Sequence, residues 1–216
     1  MRLLALETAY DVCGAALVSD VGIEALEEQL VPRRHNEVLA PTVKRLLAET
    51  ACQFNDLDGI ALSAGPGSYT GLRVGMSYVK GLAFGTGLPV IPVPTLPSLL
   101  EGEEIDNPDW VATWSHGGNV YAVQHKGNTR WDKVRFMGWD KFARLAEGQT
   151  VAGYLLDRFQ PGQSLTVLET CPSAVKVGKF ALVRRLEPTS DLVTLVPDYH
   201  HEYQVRLSNY AHSGSL

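Results

Sequence analysis

The strongest constraint on the fold is a short apolar run that passes directly into a glycine-rich turn and then a helix. Residues 59–64, Gly-Ile-Ala-Leu-Ser-Ala, read as a buried strand and are followed by Gly65-Pro66-Gly67-Ser68-Tyr69-Thr70-Gly71. A helix is expected over residues 70–86, with Leu72, Met76, Val79 and Ala83 on one apolar line. Gly71, Gly75, Gly81 and Gly85 suggest a close approach along another line, since glycine costs about 1 kcal/mol relative to alanine inside a helix. Val90-Ile91-Pro92-Val93 then reads as a strand. Strand, helix and strand in alternation imply a mixed sheet with helices packed on it.

The residues upstream extend the same pattern. Residues 3–6 and 12–18 form a buried hairpin around the polar turn Glu7-Thr8-Ala9-Tyr10-Asp11, and a third strand covers part of residues 21–31. From His35 the period changes. Leu39, Val43, Leu46 and Leu47 mark a helix to about Ala51, with Asn36 as N-cap, Glu37 in the first turn and Pro41 near that end. Glu37, Lys44, Arg45 and Glu49 fall on its wetter side.

Beyond Pro92, Pro94 and Pro97, strands are expected at 110–114, 119–125, 151–155 and 165–169, with helices around 139–146 and 173–183. The chain therefore divides into an N-terminal lobe, residues 1–97, and a smaller α/β lobe, residues 98–216. No internal repeat is visible beyond this shared α/β grammar, and the tail from Ser208 to Leu216 is expected to fray.

At 216 residues the chain can bury roughly 70% of its unfolded surface. Its formal charge of −5 argues against independent nucleic-acid binding, which needs a concentrated cationic footprint. Arg33-Arg34 and Arg184-Arg185 are too short to supply one. Cys13, Cys52 and Cys171 form neither a disulfide framework nor a metal knuckle, and fit reduced, mostly buried thiols. No signal peptide or membrane span is apparent, so a soluble, cytoplasmic protein is expected.

The chemical motifs have competing plain readings. The Gly65–Gly71 turn before a helix invites a phosphate-site reading, with Gly65, Gly67 and Ser68 as candidate nucleotide contacts. It has no P-loop ending, however, and Thr70 stands where a dinucleotide motif wants glycine. Turn geometry and close helix packing are favoured. Ser63 misses a nucleophile elbow because Ala61 replaces the first glycine. His116-Gly117-Gly118 has no nucleophile to serve and reads as a tight turn. His200 and His201, adjacent in an extended segment, point to opposite faces and read as surface residues.

Three segments carry a resemblance. They are Leu3-Leu4-Ala5-Leu6-Glu7-Thr8-Ala9, His35-Asn36-Glu37 with Leu39 and Pro41, and Ser63 through Gly75 leading by Gly81-Leu82-Ala83 to Pro92-Val93. Over residues 3 to about 97 the chain resembles the TsaB family, while the second half matches loosely around Leu195-Val196-Pro197-Asp198-Tyr199. Ser115-His116-Gly117-Gly118-Asn119-Val120-Tyr121 departs from the family's Asp-Ala-Arg-containing strand, and His200 replaces an arginine.

The resemblance implies an actin/hexokinase/Hsp70-like (ribonuclease H-like) fold. In that fold Glu7 and Thr8 stand where related ATPases place an Asp and a hydroxyl beside phosphate and magnesium. They therefore join the candidate nucleotide contacts, although a capped turn is the favoured reading. The resemblance also implies a non-catalytic scaffold role, with no cofactor, in forming N6-threonylcarbamoyladenosine next to the tRNA anticodon. The implied partners are a TsaD-like catalytic subunit and a TsaE-like ATPase, with homodimerisation through the same helices and tRNA met only through the complex. The two helices are the expected interface, through His35, Glu37, Leu39, Thr70, Gly71, Arg73, Val74, Gly75 and Tyr78. TsaD carries metal-binding histidines after an Ile-Pro-Val strand. Here the matching positions are Thr95 and Leu99, and leucine cannot ligate a cation, so no metal site is expected. The rival is an enzyme of the same fold. A small-molecule kinase should show an intact phosphate loop and a catalytic aspartate, and a metallopeptidase should show paired histidines. Neither pattern is visible.

Overall fold

The computed structural model describes residues 1–105, 107–127, 130–159 and 165–200. Two five-stranded mixed sheets organise them. The first is built from β1 (Arg2–Glu7), β2 (Val12–Ser19), β3 (Gly22–Leu30), β4 (Gly59–Gly65) and β5 (Val90–Pro94), in the order β3-β2-β1-β4-β5. Strands β1, β2 and β3 pair antiparallel, while β4 and β5 run parallel to β1. Apolar residues on alternate positions serve opposite faces, as a period of two requires. Leu4, Leu6 and Leu62 meet α1 (His35–Glu49) and α2 (Tyr69–Thr86) on one face. Leu3, Ala5 and Ala61 meet α5 (Ala174–Val183) on the other.

The second sheet contains β6 (Trp110–Trp114), β7 (Asn119–Gln124), β8 (Arg135–Gly138), β9 (Thr150–Tyr154) and β10 (Thr166–Glu169), ordered β10-β9-β6-β7-β8. One face is covered by α4 (Trp139–Leu145), where Phe142 packs edge-on against Trp110. The other receives Leu96 and Leu99, from α3 (Thr95–Ser98) and the residue after it.

Although the sequence shows no repeat, the topology does. Each sheet has an antiparallel three-strand meander followed by two strands parallel to its first, with a helix before the fourth strand. The helix expected near 173–183 is present but does not belong to the second lobe. As α5 it packs on β1, β2 and β4. Thr189 then bridges Val90, and Leu195 enters the first core. A boundary at residue 97 followed by an uninterrupted second lobe is therefore corrected, because α5 carries an apolar face that the first sheet needs. Residues 208–216 and His201 lie outside the described residues. Among the described residues no helix is long and apolar enough to cross a membrane.

Local details also shift. Arg34, not Asn36, occupies the N-cap position of α1, without a side-chain cap. The buried His35 ring bonds the Val12 carbonyl at 3.2 Å, which holds residue 35 in the first turn. Pro41 lies well inside α1 on its exposed side, where water can take the carbonyl that proline leaves unpaired. The hairpin turn, polar in sequence, is buried: Glu7, Thr8, Ala9 and Tyr10 are all at most 6% exposed. Cys13 and Cys52 are buried, whereas Cys171 is exposed.

Candidate functional site

The carboxyl ends of the parallel strands are where open α/β sheets bind ligands, and here the ends of the two sheets face each other. Tyr10 joins them by a hydrogen bond between its hydroxyl and that of Thr113. Its ring also meets Tyr154 edge-on at 5.7 Å. Asp11 pairs with Arg158 at 3.4 Å, and that guanidinium sits 4.4 Å over the Trp114 ring.

Behind Tyr10, Glu7 is 1% exposed. Its carboxylate accepts from Ala9 N–H at 2.5 Å and from the Ser63 hydroxyl at 3.0 Å. Burial nevertheless outweighs these bonds and pushes its pKa up to about 7. Ser63 is thus a buried strand serine holding a turn. Thr8 is fully buried, and its hydroxyl has no hydrogen-bond partner among the described residues.

The glycine-rich turn brings the five nucleotide candidates together, but this chain fills the space. Gly65 N–H donates to the Thr95 hydroxyl at 3.0 Å, and Ser68 N–H to the Ala9 carbonyl at 2.6 Å. Ser68 also caps α2, accepting from Gly71 N–H at 3.3 Å. A Cβ on Gly67 would lie 2.5 Å from the Ala9 carbonyl. Gly65, at φ 128°, is covered by the backbone of Asp198, whose N–H bonds Ala64 O at 2.8 Å. A nucleotide at this turn would have to displace that segment. Thr95 and Leu99 are both buried, and Thr95 spends its oxygen on Gly65.

The expected interface set separates into two groups. His35, Leu39, Gly71 and Gly75 are buried inside the chain, so they are corrected from interface residues to internal packing. A Cβ on Gly71 would collide with the Thr8 carbonyl, and one on Gly75 with the Thr8 hydroxyl and, at 3.1 Å, with Leu62. Gly81 and Gly85 face open space. The ten-residue step from Gly71 to Gly81 turns a helix by nearly three revolutions and leaves the two roughly 80° apart. One glycine line in the sequence is therefore two. Glu37, Thr70 and Arg73 are exposed, and Val74 and Tyr78 are half-buried.

Two features of this surface were not anticipated. Phe84 is 87% exposed beside Gly81 and Gly85, and the helical period does place it off the apolar line. Arg73 lies 3.8 Å over the Tyr69 ring and donates to the Tyr199 hydroxyl at 3.0 Å. The second contact crosses 126 residues, which no local pattern could reveal. His116 to Gly118 form the β6–β7 turn, where His116 bonds the Ser115 hydroxyl at 3.1 Å and stacks on Phe136. His200 pairs with Asp198 at 2.8 Å. No cluster of three or more metal-ligating side chains occurs among the described residues.

The family model for TsaD, tRNA N6-adenosine threonylcarbamoyltransferase, matches residues 28–178, and the chain belongs to that family. Within it the chain is similar, over part of its length, to the tRNA threonylcarbamoyladenosine biosynthesis protein TsaB of Escherichia coli (strain K12). The two are 39% identical over 102 residues, 47% of this chain and 44% of that protein. TsaB of Haemophilus influenzae is 38% identical over 101 residues, 47% and 42% of the two chains. The matches thus span less than half the length of these curated relatives. A Pseudomonas aeruginosa crystal structure, described as similar to peptidase YeaZ, superposes with a TM-score of 0.73 at 25% identity. It covers 93% of this chain and 99% of the other. The fold is the actin/hexokinase-like one that the resemblance implied.

Proposed function

We propose that this chain is a cytoplasmic, non-catalytic partner of a TsaD-like subunit in making N6-threonylcarbamoyladenosine in tRNA. The observation carrying the proposal is the match of nearly half of the chain to proteins named for TsaB. The geometry supports a scaffold in two ways. The turn that would hold phosphate is packed against Ala9 and Asp198, and the place of TsaD's metal-binding histidines is taken by the buried Thr95 and Leu99. A TsaE-like ATPase would join the complex. The charge of −5 leaves tRNA to be held through the catalytic subunit.

The partner surface in this reading is the outward side of α2, Thr70, Arg73 and Phe84, flanked by Glu37, Val74 and Tyr78. Its apolar centre and polar edge suit a helix-to-helix contact, with a TsaD-like subunit or with a second copy of this chain. Phe84→Asp and Arg73→Glu are expected to weaken association with the TsaD-like subunit at least tenfold. Phe84→Asp should leave the melting temperature within about 2 °C, because exposed substitutions change stability little. Calorimetric titration and thermal melting of the same preparations check this. Unweakened binding in both variants would move the interface elsewhere.

A further inference from the structure

Helix α2 contains Arg73 and Lys80 but no aspartate or glutamate, and its first turn carries no acidic residue. A cation and the positive end of a helix dipole therefore lie close together, and both favour an incoming anion. Other arginines of the first lobe are paired: Arg2 with Glu24, Arg34 with Glu37 and Arg45 with Glu27. Arg73 has no carboxylate partner among the described residues.

Arg73 is held in place all the same. Its guanidinium lies 3.8 Å over the Tyr69 ring, and its Nε donates to the Tyr199 hydroxyl at 3.0 Å. The two rings lean on each other with centroids 5.1 Å apart. Tyr199 is itself anchored, because Leu195 is buried in the first core and Asp198 N–H bonds the Ala64 carbonyl at 2.8 Å. The Asp198 carboxylate pairs with His200. Two uncharged phenols thus fix the direction of a full positive charge without neutralising it.

An arginine gives up rotamer freedom when it binds, and holding it beforehand removes much of that cost. Its planar fork matches a carboxylate or a phosphate with two parallel hydrogen bonds. Phe84 decides between them. The eleven-residue step from Arg73 turns the helix by about three revolutions, so both lie on one face, roughly 16 Å apart. An aromatic ring 87% exposed on that face suits a protein surface better than a phosphate backbone. The charge of −5 points the same way.

We propose that Tyr69, Arg73 and Tyr199 form a preassembled receptor for one aspartate or glutamate side chain of the TsaD-like subunit. Arg73 makes the contact, and Tyr199 is a positioning residue. This receptor presupposes the partner surface proposed above and adds the chemical group which that surface recognises.

Association with the cognate TsaD-like subunit is measured by calorimetry, and melting of each variant confirms that it is folded. Arg73→Lys keeps the charge but loses the fork, and should weaken binding about tenfold. Tyr199→Phe keeps the ring and should weaken it about fivefold. In an Arg73→Ala background Tyr199→Phe should have no further effect, since it acts only through the guanidinium. Among variants of the TsaD-like subunit with one surface acid changed to lysine, one should restore binding to Arg73→Glu. The receptor is overturned, and the surface stands, if Phe84→Asp weakens association while Arg73→Lys and Tyr199→Phe bind like the parent. It is also overturned if no lysine variant restores binding, or if Tyr199→Phe costs as much in the Arg73→Ala background. Variants that assemble normally but lose tRNA from the complex would put phosphate, not carboxylate, on Arg73. A parent chain that does not bind the TsaD-like subunit overturns the surface and the receptor together.

Discussion

Replacing Gly75 with leucine should destabilise the protein by about 3 kcal/mol, at the upper end of what overpacking a core costs. Gly75 is buried where α2 crosses the hairpin turn. Even a Cβ would strike the Thr8 hydroxyl and press on Leu62 at 3.1 Å. Thr8 is fully buried and its neighbour Glu7 is bound to Ser63, so the turn has little room to retreat. Helix propensity works the other way, leucine being better than glycine by a few tenths to about 1 kcal/mol, which limits the net loss. For a chain of this size the melting temperature should fall by roughly 6–12 °C. Gly81→Leu, on the same helix but facing open space, should not lower it. Equal melting of the parent and Gly75→Leu would mean that the contact with Thr8 is wrong.

The second large effect is a pH dependence arising from Glu7. Its pKa lies at about 7 in the folded chain, against 4.5 for an ordinary glutamate. Because the folded value is raised, this group's contribution to stability is fully present below about pH 4.5 and is lost as pH rises through about 7. The size of the loss is on the order of 3 kcal/mol, at about 1.4 kcal/mol for each unit between the two values. Glu7→Gln keeps an acceptor for Ala9 N–H and the Ser63 hydroxyl but carries no charge. The melting temperature of the unmodified protein should therefore decline between pH 5 and pH 8 relative to that of the variant. Parallel curves across that window would show that Glu7 is not buried as charged carboxylate at neutral pH.

The first sheet was legible because its signals are local. A buried strand, a glycine turn and a periodic helix each fit within twenty residues, so β4, α2 and β5 fall within a residue or two of expectation. Short β8, Arg-Phe-Met-Gly, has no room for a two-residue alternation to declare itself. The destination of α5 was hidden for a different reason. Its apolar face says that it packs, and only the tertiary fold says on which sheet.

The candidate site divides in the same way. Thr95 and Leu99 could be assessed one by one from their side-chain chemistry. Whether Gly71, Gly75, Gly81 and Gly85 face inward or outward depends on how α2 is rotated on its sheet, which the glycine positions alone do not fix. The turn from Glu7 to Asp11 misled because polar residues usually mean solvent. Here Tyr10 and Thr113 bring a second sheet down on top of it.

The most direct test of the scaffold role is reconstitution of the modification on unmodified tRNA. The cognate TsaD-like and TsaE-like proteins would be supplied with threonylcarbamoyl-adenylate and ATP, with or without this chain, and N6-threonylcarbamoyladenosine measured by mass spectrometry of the digested tRNA. The account predicts product only when this chain is present together with the TsaD-like subunit, and none from this chain alone. Product from this chain without the TsaD-like subunit, or undiminished product when this chain is left out, would contradict it.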